Sequence, residues 1–125
     1  PVAYWEAIPA QEAARFMGGD KGLHANSGEI SAVLAIDAGL VDMEAANIEA
    51  PRFPPTRTGS PGIHTAFFLT QPGSVWRITE SGTWGDAANA TAELGRDFLE
   101  TAAKATLAVL EDIEATFAQL PKRGG

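Results

Sequence analysis

The chain has few side chains suited to acid–base or metal chemistry, and their spacing sets the first question. It contains two histidines, His24 and His64, and no cysteine. His24 lies in a glycine-flanked loop running into a helix, and Glu29 follows in the first turn of that helix. A histidine held near a carboxylate at a helix start can act as an acid–base pair, because the carboxylate orients the imidazole and raises its basicity. Glu29 could instead bind a cation. A plainer alternative is that His24 satisfies loop backbone groups while Glu29 complements the positive helix end. Spacing alone favours the plainer alternative. His64, in the extended run His64-Thr65-Ala66-Phe67-Phe68, reads as a packed strand residue rather than a ligand. Trp5, Trp76 and Trp84 could wall a pocket, although buried tryptophans usually fill a core. A hydrolytic metal site needs about three or four ligands per ion. With no HxH, no HExxH and no carboxylate cluster at ligand spacing, this chain does not build one alone.

The elements that must position these residues follow from pattern. Val2, Ala3, Tyr4 and Trp5 read as a strand. Ile8-Pro9-Ala10 opens a short helix, since proline lacks only an N–H that would be unpaired there. Ala13, Phe16 and Met17 are its buried side, and Gly18-Gly19 stops it. A second helix is expected over about 27–37, capped by Ser27, with Ile30, Val33, Leu34 and Ala38 at helical spacing. Residues 40–60 are loop-like and proline-rich. Extended segments over about 63–69 and 75–79, joined by Gln71-Pro72-Gly73, point to a hairpin. A long amphipathic helix over about 89–119 closes the chain, with Leu99, Ala103, Thr106, Leu110, Ile113 and Phe117 as its inner stripe.

Composition narrows the function classes. A length of 125 residues is one domain or part of one, and 45% apolar residues are enough for a core. Nine basic against 16 acidic residues leave a net charge of −7, which argues against nucleic acid or an anionic membrane as partner. The lack of cysteine excludes disulfides, thiolate zinc sites and cysteine nucleophiles. No apolar run reaches the roughly 18 residues of a membrane span, and no signal-peptide pattern opens the chain. A cytoplasmic protein is the default expectation. A chain that starts at Pro1, inside an expected strand, reads either as one piece of a cut precursor or as the product of initiator-methionine removal.

Taken in order, these pieces resemble the second half of creatininase-family proteins. Tyr4-Trp5-Glu6 is similar to the family's strand-end Tyr-Trp-Asp. His24-Ala25-Asn26-Ser27-Gly28-Glu29-Ile30-Ser31 resembles His-Ala-Gly-Glu-x-Glu-Thr-Ser, with the histidine and second glutamate at the same separation. Leu34-Ala35-Ile36-Asp37-Ala38-Gly39-Leu40-Val41-Asp42-Met43 resembles Leu-Ala-x-x-Pro-x-Leu-Val-x-Met, and Phe53-Pro54-Pro55 recurs after the expected gap. The run from Gly82 to Gly95, with Gly85-Asp86 and Ala90-Thr91-Ala92-Glu93 inside it, resembles Gly-x-x-Gly-Asp-Pro-x-x-Ala-Thr-Ala-Glu-x-Gly. Each motif is modest; the ordered set is specific.

The resemblance implies an α/β fold, an α/β/α sandwich with a mainly parallel sheet. Residues 1–125 would be the C-terminal half of one such domain, completed by a second chain. It implies a divalent two-metal centre that polarises an amide carbonyl and activates water, with zinc expected and manganese or iron as alternatives for the second ion. By the same resemblance His24 is the proton carrier for the leaving nitrogen, and Glu29 orients it or reaches a metal. Trp5 becomes an aromatic wall over a small-molecule substrate. The family's metal ligands, a Glu-x-His pair, an Asp and a further His, lie in its N-terminal half. The expected partner is therefore a chain carrying them, within a larger assembly such as a hexamer. Departures accompany the match. Asp20 and Lys21 stand where creatinine-cleaving members have a substrate-gripping Trp-Asp pair, and Asn26-Ser27-Gly28 replaces Gly-Glu-x. Lys21 would suit an anionic or carbonyl-bearing substrate, as in relatives that open a cyclic polyol ketone at a carbon–carbon bond. A non-catalytic structural or regulatory subunit is the third expectation.

Overall fold

The computed structural model describes residues 2–16, 22–54, 67 and 69–121. Lys21, His64, Met17 and the Gly18-Gly19 stop fall outside these residues. The opening segment departs from expectation. Tyr4–Ala7 is a short helix, α1, entered from Ala3 in extended backbone, and the Ala7 N–H donates to the Ala3 carbonyl at 3.2 Å. A strand needs a neighbour to pair its N–H and C=O groups. Among the described residues no strand pairs with this segment, and the backbone closes on itself.

Helix α2, Ala10–Phe16, begins as its proline predicts, with the Glu12 and Ala13 N–H groups donating to the Pro9 carbonyl at 2.9 Å. Helix α3, Ser27–Ile36, is capped one residue earlier than expected. Asn26 and Glu29 form a reciprocal capping box, which satisfies two free helix-end donors. The expected cap, Ser27, bonds elsewhere. Its hydroxyl donates to the Phe16 carbonyl at 3.1 Å and ties the end of α2 to the start of α3. A 3-10 turn at Ala38–Leu40 follows.

The only sheet among the described residues is a two-stranded antiparallel one. Strand β1, Ile48–Glu49, pairs with β2, Gly85–Asp86, in the register Ile48 to Asp86 and Glu49 to Gly85. An isolated antiparallel bridge joins His24 to Trp84. The mainly parallel sheet of the expectation is not found in the described residues, which are mostly helical. Parallel pairing needs neighbouring strands joined by long crossovers, and the described segments supply neither. The expected strand at 75–79 is replaced by a 3-10 turn, Val75–Arg77, and Phe67 and Leu69 have helical backbone. The Ile78 and Thr79 N–H groups both turn back to the Val75 carbonyl, while the Ile78 carbonyl accepts from the Arg52 N–H at 2.8 Å.

Helix α4, Ala92–Gln119, is capped by Thr91, whose side chain accepts from the Leu94 N–H at 3.1 Å. It packs mainly on α3. Ile8, Phe16, Phe98 and Ala102 form the buried cluster, with Ala13, Ala32, Leu94 and Ala105 against it. The Phe16 and Phe98 rings meet at 5.0 Å, and burying each phenylalanine contributes about 1.5–3 kcal/mol. Arg15 of α2 pairs with Asp97 of α4 at the exposed margin.

The face that α4 buries differs from the stripe expected. Gly95, Phe98 and Ala102 point inward, whereas Leu99 and Ala103, one position on, are exposed. One position is a rotation of about 100° on a helix. The cause is the crossing point. A side chain built on Gly95 would meet the Ser31 carbonyl oxygen at 1.8 Å, so glycine lets the two backbones touch there and selects the inner face. Ser31, fully buried, accepts a hydrogen bond from the Thr91 N–H at 2.9 Å beside that contact.

Candidate functional site

Helix α1, the second half of α2, the loop before α3 with the first turn of α3, and Phe98 of α4 surround a cavity of about 400 Å³. Its wall includes Tyr4, Trp5, Phe16, Asn26, Glu29 and Phe98. The aromatic side is organised by edge contacts. The Tyr4 ring lies at 5.0 Å from Trp5 and 5.9 Å from Phe98, so the core holds Tyr4 and Tyr4 holds the indole. Trp5 itself is 63% exposed.

The polar side is built by Asn26. Its side-chain oxygen accepts from the Glu29 N–H at 3.0 Å, and its amide donates to the Gly22 carbonyl at 3.1 Å. Its backbone N–H donates to Glu29 Oε2 at 3.3 Å. Asn26 thus anchors both the entering loop and the Glu29 carboxylate. Only small neighbours permit this packing: Gly85 has φ +145°, and a side chain there would press on Asn26 Cβ and Gly22 Cα. Of the Glu29 carboxylate, Oε2 is engaged in the capping box, and Oε1 takes no hydrogen bond from the described residues.

His24 sits beside this wall but is not part of its described lining. Its backbone is fixed by the bridge to Trp84, with His24 N–H to Trp84 O at 3.3 Å and Trp84 N–H to His24 O at 2.7 Å. The imidazole is exposed and makes no hydrogen bond with the described residues, Glu29 included. Between the two, Ala25 has φ +50°, a left-handed conformation that costs an alanine about 1–2 kcal/mol. This kink turns the chain from the bridge into the α3 cap. Trp84 is buried and meets Phe53 edge to face at 5.5 Å, a core role, and Trp76 lies over Gly82 far along the chain from the cavity.

The structure therefore brings Trp5 and Glu29 to one cavity and places His24 on the adjoining ribbon; Lys21 lies outside the described residues. Asn26 is the site residue that sequence reading missed. Its signal was present, because Asn-x-x-Glu before an apolar run is the pattern of a capping box. An exposed indole lining the same cavity as a carboxylate oxygen that takes no hydrogen bond from the described residues can receive a planar group bearing N–H donors. The described residues do not fit a metal centre of their own: no group of three or more His, Asp or Glu converges among them.

No helix among the described residues is long and apolar enough to cross a membrane. The family model for Creatininase, described as creatinine amidohydrolase, matches residues 1–110. No curated protein and no solved structure matches the chain.

Proposed function

The chain belongs to the creatininase family, and from that premise we propose that it is a subunit or processed fragment of a metal-dependent hydrolase acting on an amide or cyclic amide of small size. The observation that carries this reading is the family match across 110 of the 125 residues. The family is one of hydrolases with an α/β fold. The cavity that joins Trp5 to Glu29 supports the small-molecule part of the reading.

In this proposal Trp5 covers one face of the substrate and excludes water from it. Glu29 accepts an N–H of the bound amide through Oε1 while Asn26 holds Oε2. His24 delivers a proton to the leaving nitrogen after the substrate, or a shift of the loop at Ala25, brings ring and nitrogen together. Lys21 would steady an anionic or carbonyl-bearing part of the substrate. The divalent ions, with zinc the first choice, are assigned to ligands on a partner chain that carries the N-terminal half of the domain, in a larger assembly. A second reading, a non-catalytic subunit, draws support from the engagement of Glu29 in a structural capping box.

The test combines native mass spectrometry, metal analysis and turnover of linear and cyclic amides by the purified assembly. His24→Asn should lower kcat by about 10²–10⁴-fold, the usual worth of a positioned proton carrier, while metal content stays unchanged. Turnover that is indifferent to His24 removes its catalytic role. A metal-free, folded monomer of 13.1 kDa with no turnover would refute the subunit reading.

A further inference from the structure

The cavity beside α3 has aromatic walls and a single ionised group. Tyr4, Trp5, Phe16 and Phe98 line it, and among the described residues Glu29 is the only charged side chain in its lining. The fold makes little use of the indole: no residue of α1 is buried, and Trp5 is the most exposed of these rings. The Tyr4 and Trp5 ring planes stand 80° apart, and Tyr4 meets Phe98 at 64°. Aromatic rings set at steep angles around a carboxylate are surroundings that hold organic cations, because the π faces and the carboxylate attract the same charge.

Three observations fix the sign and the shape of the ligand. Arg15 lies over the Phe16 ring, 5.1 Å from its centroid, but it is paired with Asp97 of α4 and does not line the cavity. No cationic side chain among the described residues therefore neutralises Glu29 from within. The second observation is the state of that carboxylate. Oε2 takes the Asn26 N–H, and Oε1 takes no hydrogen bond from the described residues. A fork of two N–H groups, as in an amidinium, would have to displace the Asn26 N–H to grip both oxygens. A protonated amine needs only Oε1. The third is the charge balance. The α3 dipole places about half a positive charge at its first turn, less than the full negative charge of Glu29, and the whole chain carries −7. The balance favours a cation.

We propose that this cavity takes a protonated amine on a small apolar body, with the ammonium on Glu29 Oε1 and the body against Tyr4 and Trp5. The volume of about 400 Å³ lies at the lower end of the roughly 300–1,000 Å³ of small-molecule sites, which suits a body of about one ring. The inference rests on the hydrolase reading only in taking this cavity as the substrate site, and it names the substrate class: an amide that also carries an amino group.

Benzylamine, benzyl alcohol, phenylacetate and benzamidine serve as probes, and calorimetric titration of the protein as purified reads their binding at neutral pH. Benzylamine should bind at least about 10-fold tighter than benzyl alcohol, with the gap shrinking at high salt, and phenylacetate should bind more weakly than the alcohol. Glu29→Gln keeps the helix cap, since glutamine also serves at this place in a capping box. It should bring benzylamine down to the level of the alcohol and leave the circular dichroism unchanged. Trp5→Leu, at an exposed position, should weaken benzylamine by at least about 5-fold. Equal binding of the probes, no binding of benzylamine, tighter binding of benzamidine, or selectivity that survives Glu29→Gln overturns the proposal. So does a preference for phenylacetate, the result expected if Lys21 set the charge of the site. None of these readouts involves turnover. Amine-selective binding without amide hydrolysis would uphold the site and count against the hydrolase reading, and hydrolysis of neutral amides without amine binding would do the reverse.

Discussion

Replacing Gly95 with alanine tests the account of how α3 and α4 meet. In an exposed helix this change would stabilise by about 1 kcal/mol, because alanine has the better helix propensity. At the crossing it should do the reverse. The new Cβ would lie 1.8 Å from the Ser31 oxygen, 2.3 Å from the Ser31 carbonyl carbon and 2.9 Å from the Ala32 nitrogen. All three are backbone atoms of a helix and cannot swing aside. The helices must part by more than about 1 Å, a disturbance that well-packed cores resist at a cost of about 1–3 kcal/mol. Parting also lengthens the bond from the Thr91 N–H to Ser31 Oγ, and leaving such a buried group unpaired costs about 1–3 kcal/mol. After the propensity gain, a net loss of about 1–5 kcal/mol is expected. Urea unfolding followed by circular dichroism measures it. With a slope near 1 kcal/mol per molar for a protein this small, the midpoint should fall by about 1 M or more. Ala108→Gly, on the exposed surface of the same helix, isolates propensity and should cost about 1 kcal/mol. A Gly95→Ala protein as stable as the parent would refute the close crossing and the choice of inner face that rests on it.

Asn26→Ala removes the α3 cap and the tie to Gly22, and thermal unfolding should register a loss of about 1–2 kcal/mol; an unchanged melting temperature would remove Asn26 as the anchor of the site. Ala25→Gly relieves the left-handed alanine and should stabilise by about 0.5–1 kcal/mol, again by thermal or urea unfolding, and a destabilised variant would contradict that backbone conformation. Glu49 accepts hydrogen bonds from the Ser81 hydroxyl and from the Glu80 and Ser81 N–H groups, with the Ser81 hydroxyl contributing most, and these hold its carboxyl below the ordinary 4.5. A folded-state value below the unfolded one means the contribution is present above pH 4.5 and is lost as pH falls through the folded value. The stability gap between the parent and Glu49→Gln, from urea curves at several pH values, should therefore narrow on acidification below pH 4.5, and a gap that widens there would refute the assignment.

What was legible in the amino-acid order was mostly what neighbouring residues decide. Pro9 announced the start of α2; the entrances of α3 and α4 were placed near Ser27 and residue 89, close to but not on their caps Asn26 and Thr91, although a cap and the N–H groups it satisfies lie within one helical turn and so stand in the sequence. The ordered motifs from Tyr4 to Gly95 likewise identified the family, since they are read along the chain. The expected strand at 2–5 failed for the complementary reason: strand character needs a partner, and without one in place the same residues satisfy themselves as helix α1. Three features were decided in three dimensions. The buried face of α4 depends on Gly95 meeting Ser31, residues far apart in sequence, and apolar spacing alone offered two neighbouring stripes. That Trp5 and Glu29 line one cavity was set by the packing of α1 and α2 beside the start of α3, which brings together residues far apart in the chain. The place of His24 was set by its bridge to Trp84, a pairing between distant segments that brings the histidine beside the Trp5–Glu29 cavity without making it part of the wall.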